Sequence, residues 1–177
     1  MESAMHKNKL TIFLLAFLMP ISLLAETPEE KLAGMGIELV EPGPPEGLFV
    51  PAVTSGKLVF LSGHGPRKPD GGYVTGKVGS DISIEEARLA ARYTCIAMLG
   101  SLKQEIGELS RVKRIVRVFG MVNVADGFNR TPEVINGCSQ LLIDLWGDSG
   151  RHARAAVGMA ELPFDISVEI EMVVELQ

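Results

Sequence analysis

Apolar residues between Ser83 and Gly107 recur at helical spacing, at Ala87, Leu89, Ala90, Tyr93, Ala97, Met98 and Leu102, which predicts one long amphipathic helix with these positions as its core face. Ser83 with Glu86 forms a capping-box pattern at its start, and Gly107 suits its end. A second apolar helix is predicted from about Pro132, a good first-turn residue, to Trp146-Gly147. Extended patterns fill most of the rest. Ile37 to Glu41, Phe49 to Val53, Lys57 to Ser62 and Tyr73 to Val78 are bounded by Gly- and Pro-rich turns. Val112 to Val124 reads as a longer strand, with Val116, Val118, Val122 and Val124 on one side. Two helices set among strands in this order predict an α+β fold with both helices on one face of a sheet.

Strand parity extends this to the C-terminal segments. Along Arg154 to Ala160 the apolar positions are Ala155, Val157 and Met159; along Ile166 to Val174 they are Ile166, Val168, Ile170, Met172 and Val174. If each strand turns its apolar side toward the helices, Arg154, Glu169 and Glu171 share the opposite face. That places a guanidinium among small residues, Ala156 and Gly158, beside two carboxylates. The planar fork of arginine suits a carboxylate ligand held by two parallel hydrogen bonds. The alternative for Arg154 is an ion pair with Glu169 or Glu171 at a subunit interface.

A chain of 177 residues that is 46% hydrophobic suits one compact domain. The net charge is −5 with the basic residues scattered, which argues against nucleic acid as a partner. Residues 1–25 pattern as a secretory signal peptide: Lys7 and Lys9 precede the apolar run Leu10 to Leu24, which Pro20 interrupts and which is too short for a stable membrane span. An uncleaved anchor is the alternative. Cleavage after Ala25 predicts an exported protein, periplasmic or secreted. Residues 26–45 then form an N-terminal extension and 46–177 the domain.

Cys95 and Cys138 fall in apolar helical stretches and read as buried thiols rather than a disulfide framework. His64 and His152 lack the spacing of a metal site. The run Gly71-Gly-Tyr-Val-Thr-Gly-Lys77 fails as a phosphate loop, because Val78 stands where Ser or Thr should hold magnesium. Gly63-His-Gly65 lacks the third glycine and the helix that dinucleotide binding needs.

From about Glu46 to Glu175 the chain resembles the Rid family, also called YjgF or L-PSP endoribonuclease-like proteins. The run Arg154-Ala-Ala-Val-Gly-Met-Ala-Glu-Leu-Pro163 with Val168-Glu-Ile-Glu171 carries the resemblance, together with Val59-Phe-Leu-Ser-Gly63. The resemblance implies a chorismate mutase-like fold, a mixed sheet backed by two helices, assembled as a homotrimer with ligand clefts between subunits. It implies hydrolysis of small 2-imino or 2-enamino acids to 2-keto acids and ammonia, with no metal and no organic cofactor. By position Arg154 would grip the substrate carboxylate and Glu169 would position or activate water. Gly63, Asn136 and Phe49 would line the ligand side, with Ala156 a small neighbour of Arg154; His64 and His152 are candidates outside the family pattern, His64 as a ligand contact or a solvated loop residue and His152 as a second anion grip or a cap of the strand. Phe49 stands where the characterised deaminases of the family carry tyrosine, so a non-catalytic trimer binding a small carboxylate in the same cleft is the alternative.

Overall fold

The computed structural model describes residues 26–44 and 47–177. The signal-peptide pattern of residues 1–25 lies outside the described residues.

Thr27 caps the short helix α1 (Pro28–Gly34), and its hydroxyl accepts from the Glu30 amide while Glu30 reaches back. Helix α1 belongs to the packed domain: Leu32 is buried in the core, Glu29 accepts from the Leu109 amide at 2.6 Å, and Lys31 Nζ donates to the Leu145 carbonyl at 2.7 Å. Strands β1 (Ala52–Ser55) and β2 (Leu58–His64) follow, then helix α2 (Ile84–Ile106), strand β3 (Val112–Asn123), helix α3 (Thr131–Trp146), strand β4 (Ala153–Met159) and strand β5 (Val168–Leu176). The sheet order is β1-β2-β5-β3-β4, with only the β3–β4 pair parallel. Helices α2 and α3 pack on each other and on one face of the sheet, giving the expected mixed α+β fold.

Helix α2 starts as its capping box predicts, with Ser83 Oγ accepting from the Glu86 amide at 3.2 Å and the Ser83 amide donating to Glu86 at 2.8 Å. Gly107, at φ 86°, ends it. The buried stripe is rotated from the expected one: Ala91, Thr94, Cys95 and Leu99 are fully covered, whereas Leu89 is 46% exposed. Close approach of the two helices decides this. A Cβ on Gly137 of α3 would lie 1.9 Å from the Arg88 carbonyl oxygen of α2. Cys95 and Cys138 meet as free, buried thiols at this junction, and burial drives the Cys95 thiol well above its ordinary range.

Two expected strands are not strands. Ile37 and Leu39 pack against the core from a coil that runs along α2, so near that a Cβ on Gly100 would lie 2.5 Å from the Val40 carbonyl oxygen. Tyr73 to Val78 makes only isolated bridges, to Arg67, Ile166, Ile82 and Val124, because Gly76 and Gly79 at φ 103° and 98° turn the chain across the end of the sheet.

In β3 the pairing with β5 shifts between Ile115 and Arg117, and this irregularity takes Val116 off the side it was expected to share with Val118, Val122 and Val124. Ile115, Val118 and Val122 are fully buried under the helices while Val116 is only partly covered.

Candidate functional site

Pairing across β3 fixes which way each candidate side chain points. Val118 pairs with both Arg154 and Met172, and Gly120 with both Ala156 and Ile170. Met172 and Ile170 are core residues, and a Cβ on Gly120 would strike Ile135 of α3 at 2.4 Å. Arg154 and Ala156 therefore lie on the helix side. Met121 pairs with Glu169 and Val157, and Phe119 pairs with Glu171 and Ala155. Glu169 and Glu171 therefore lie on the open side. This corrects the expectation that Arg154 shares a face with Glu169 and Glu171.

On the helix side, Arg154 projects from the edge strand β4 toward α3. Its Nη1 donates to Asn136 Oδ1 at 2.8 Å and to Ser139 Oγ at 3.1 Å. Ser139 Oγ also lies 3.0 Å from His152 Nε2, and His152 Nδ1 lies 2.7 Å from the Gly150 carbonyl. Burial, opposed by that carbonyl bond and aided by the Arg154 charge, holds the His152 pKa below its ordinary value. Among the described residues no carboxylate pairs with Arg154. Ala156 lies beneath α3, its carbonyl accepting from Thr131 Oγ1 at 3.0 Å. Asn136 and His152 thus meet Arg154, the first directly and the second through Ser139, a residue the sequence reading missed. Asn136 and Ser139 are three apart and so neighbours on α3, but Glu133, Gln140 and Asp144 are polar on the same helix, so the sequence does not single the pair out.

On the open side, the Glu169 carboxyl lies over Gly63, where a Cβ would sit 2.0 Å from Oε1. Gly63 is the position that lets this carboxylate settle against the sheet. Burial, and then the neighbouring Glu171 charge, push the Glu169 carboxyl above the usual range. Phe49 is 51% exposed; the adjoining Val50 and Pro51 carbonyls accept from Ser62 Oγ and Ser62 N, placing Phe49 at the Gly63 end of β2.

His64 belongs to neither group. The β2–β5 pairing shifts between Leu61 and His64, and His64 then pairs with Ile170, on the helix side. Its Nε2 lies 2.7 Å from Ser101 Oγ of α2 and its Nδ1 2.7 Å from the Ser62 carbonyl, and burial lowers its pKa. Because that carbonyl can only accept, Nδ1 carries the proton and Nε2 accepts from Ser101. The imidazole pins the end of β2 to α2.

The open face is apolar across much of its width: Val53, Phe60, Leu58 and Val157 are 50%, 46%, 37% and 36% exposed. A hollow of about 630 Å³ at the N-terminal ends of α2 and α3, walled by residues such as Asp81, Glu85 and Arg130, contains no side chain of either group. No described helix is long and apolar enough to cross a membrane.

Residues 29–176 match the family model described as YjgF/chorismate mutase-like, putative endoribonuclease. Protein TCP17 of Trypanosoma cruzi is 37% identical over 147 residues, covering 82% of this chain and 92% of that protein. Among solved structures, protein Atu1372 of Agrobacterium tumefaciens, whose function is unknown, is 38% identical with a TM-score of 0.78, over 85% of this chain and 94% of its own. A putative endoribonuclease of Shewanella oneidensis is 32% identical with a TM-score of 0.81, over 85% of this chain and 99% of its own. The 148-residue span of the family match and the identity to TCP17 lead to one conclusion: the chain belongs to the YjgF/chorismate mutase-like family.

Proposed function

We propose that the protein hydrolyses small 2-imino or 2-enamino acids to 2-keto acids and ammonia, in a cleft that one copy of the chain completes for another. The observation that carries this reading is the state of Arg154. Its Nη1 is anchored by Asn136 and Ser139, and its Nε and Nη2 have no partner among the described residues. That edge is a ready bidentate seat for a carboxylate.

The reaction asks little more of the protein. With the substrate carboxylate on Arg154, the carbon of the protonated imine faces a water whose proton passes to Glu169 as the water oxygen bonds to carbon. The carbinolamine so formed takes that proton back on nitrogen; the C–N bond then breaks as the hydroxyl proton passes to Glu169, the carbonyl forms and ammonia leaves. A carboxyl raised above its usual range is better matched to carrying this proton at neutral pH than an ordinary glutamate.

Arg154 and Glu169 lie on opposite faces of the sheet, so the reading needs the arginine of one copy beside the glutamate of the next. The apolar open face around Phe60 and Val157 supports such an assembly, and a homotrimer is the arrangement we propose. Export rests on the pattern of residues 1–25; sequencing of the mature N-terminus should find Glu26.

A second reading, a non-catalytic trimer that holds a small carboxylate, is favoured by Phe49, which brings no hydroxyl to the Gly63 end of the sheet. Generation of 2-iminopropionate in situ separates the two. Hydrolysis faster than in buffer and lost in Arg154→Ala supports the enzyme. Binding of 2-ketobutyrate, lost in Arg154→Ala and unaccompanied by any acceleration, supports the binder.

A further inference from the structure

Asn136 and Ser139 stand about one turn apart on α3, and each puts an oxygen on Nη1 of Arg154, at 2.8 and 3.1 Å. Nη1 has two hydrogens, and these contacts use both. The direction of the next bond follows from chemistry. The Gly150 carbonyl can only accept, so the neutral His152 ring carries its proton on Nδ1 and leaves a lone pair on Nε2. The Ser139 hydroxyl hydrogen goes to that lone pair, which turns the serine oxygen's own lone pairs toward Arg154. The chain of donors thus runs in one sense, with Arg154 donating to Ser139, Ser139 to His152, and His152 to the Gly150 carbonyl.

We propose that Ser139 and His152 are positioning residues that lock the Arg154 guanidinium with its Nε–Nη2 edge outward, so that the site takes a planar carboxylate side-on. The proposal rests on Arg154 being the carboxylate anchor. Asn136 and His152 act here on the arginine rather than on the ligand. With Nη1 occupied, the two-nitrogen end of the guanidinium is closed, and the side edge is the remaining bidentate geometry.

The same arrangement couples ligand binding to a proton. The charged groups around His152 are Arg154 on β4, Asp148 and Arg151 in the turn before it, Arg114 and Arg117 on β3, and Asp144 on α3. Asp148 is engaged by Arg151, Arg114 reaches the Arg151 carbonyl, and Arg117 stacks on Phe119 on the open face; Asp144 accepts from Gln140. Arg154 is the cation that opposes protonation of the ring. A carboxylate bound to Arg154 offsets that repulsion, so binding draws a proton onto His152 as the pH falls. The protonated Nε2 then donates to Ser139, whose oxygen has a second lone pair for Arg154.

Calorimetric titration of 2-ketobutyrate into the assembled protein tests this. Ser139→Ala is expected to weaken binding about tenfold, because one Nη1 hydrogen loses its acceptor and the guanidinium is freed to turn. In the wild type, affinity is expected to rise as the pH falls below about 6.5, and His152→Gln to abolish that slope. A purely structural role for His152 would leave the slope in place. Binding by Ser139→Ala within about twofold of wild type, or a slope that survives in His152→Gln, overturns the positioning proposal while loss of binding in Arg154→Ala keeps the anchor. Wild-type binding by Arg154→Ala overturns the anchor and the proposal together.

Discussion

Arg154 and Glu169 sit on opposite faces of one sheet, two strands apart: Arg154 pairs with Val118 on the helix side of β3, and Glu169 with Met121 on its open side. No rotamer brings the two side chains to one small ligand within a single copy. The edge position of β4 leaves Arg154 exposed, and the half-buried Glu169 faces the apolar surface that a second copy would cover.

The first prediction concerns that surface. Phe60 is 46% exposed on the open face, so Phe60→Arg should leave the fold intact and block assembly. Light scattering should report a monomer with an unchanged far-UV circular dichroism spectrum, and 2-iminopropionate hydrolysis should fall to the buffer rate. A trimer that survives the charge would place the interface elsewhere.

Gly63 offers a separate test of Glu169. A Cβ at Gly63 would sit 2.0 Å from Glu169 Oε1, the far end of a flexible side chain that swings aside cheaply. Gly63→Ala should therefore fold with near-normal stability and lose about 100-fold in kcat, through displacement of the carboxylate. Full activity in the alanine variant would remove Glu169 from the reaction.

Gly137→Ala should do the reverse, acting on stability alone. The added methyl would lie 1.9 Å from the Arg88 backbone oxygen, which cannot swing away, so α2 and α3 must separate. Urea unfolding should show a loss of about 3 kcal/mol or more. A loss near zero would mean that the helix crossing is looser than described.

His64 and His152 set the acid limit of stability. Both have folded-state pKa values lowered chiefly by burial from an ordinary 6.5, so near and below that pH the unfolded chain binds protons that the folded chain refuses. The sign is thus stability that is fully present above the ordinary histidine pKa and lost as pH falls through it toward the folded values. Midpoints of urea unfolding should fall on acidification from about pH 7.5 to 5.5, less steeply in His64→Gln. An identical pH dependence in His64→Gln would show that His64 is not a source of the loss.

Much of the architecture was legible because local chemistry agreed with the fold. Ser83, Glu86, Gly107 and Pro132 mark helix ends by their capping roles, and the run from Arg154 to Glu171 carries the family resemblance. Parity was legible in β5, where Val168, Ile170, Met172 and Val174 are buried as expected, but not in β4. The apolar residues Ala155, Val157 and Met159 point to the open face, while Ala156 lies under α3 and Gly158 against Val124. A Cβ on Gly158 would meet Val124 at 2.8 Å, and Thr131 bonds the Ala156 carbonyl. On a strand whose two faces are both apolar, alternation cannot tell the helix side from the open side. In β3 the irregularity displaces Val116, while Val118 and Val122 are buried on the expected side. Ser139 is not legible in the sequence, because a helix serine announces nothing until the arginine opposite it is placed.

The most direct measurement of a shared site is complementation between two inactive proteins. Arg154→Ala keeps Glu169, and Glu169→Gln keeps Arg154, so trimers refolded from an equal mixture contain junctions where both native residues meet. Each variant alone should hydrolyse 2-iminopropionate no faster than buffer, and the mixture should recover about a quarter of the wild-type rate. A mixture as inactive as its parents, with mixed trimers demonstrated by mass spectrometry, would contradict a site built from Arg154 of one copy and Glu169 of the next.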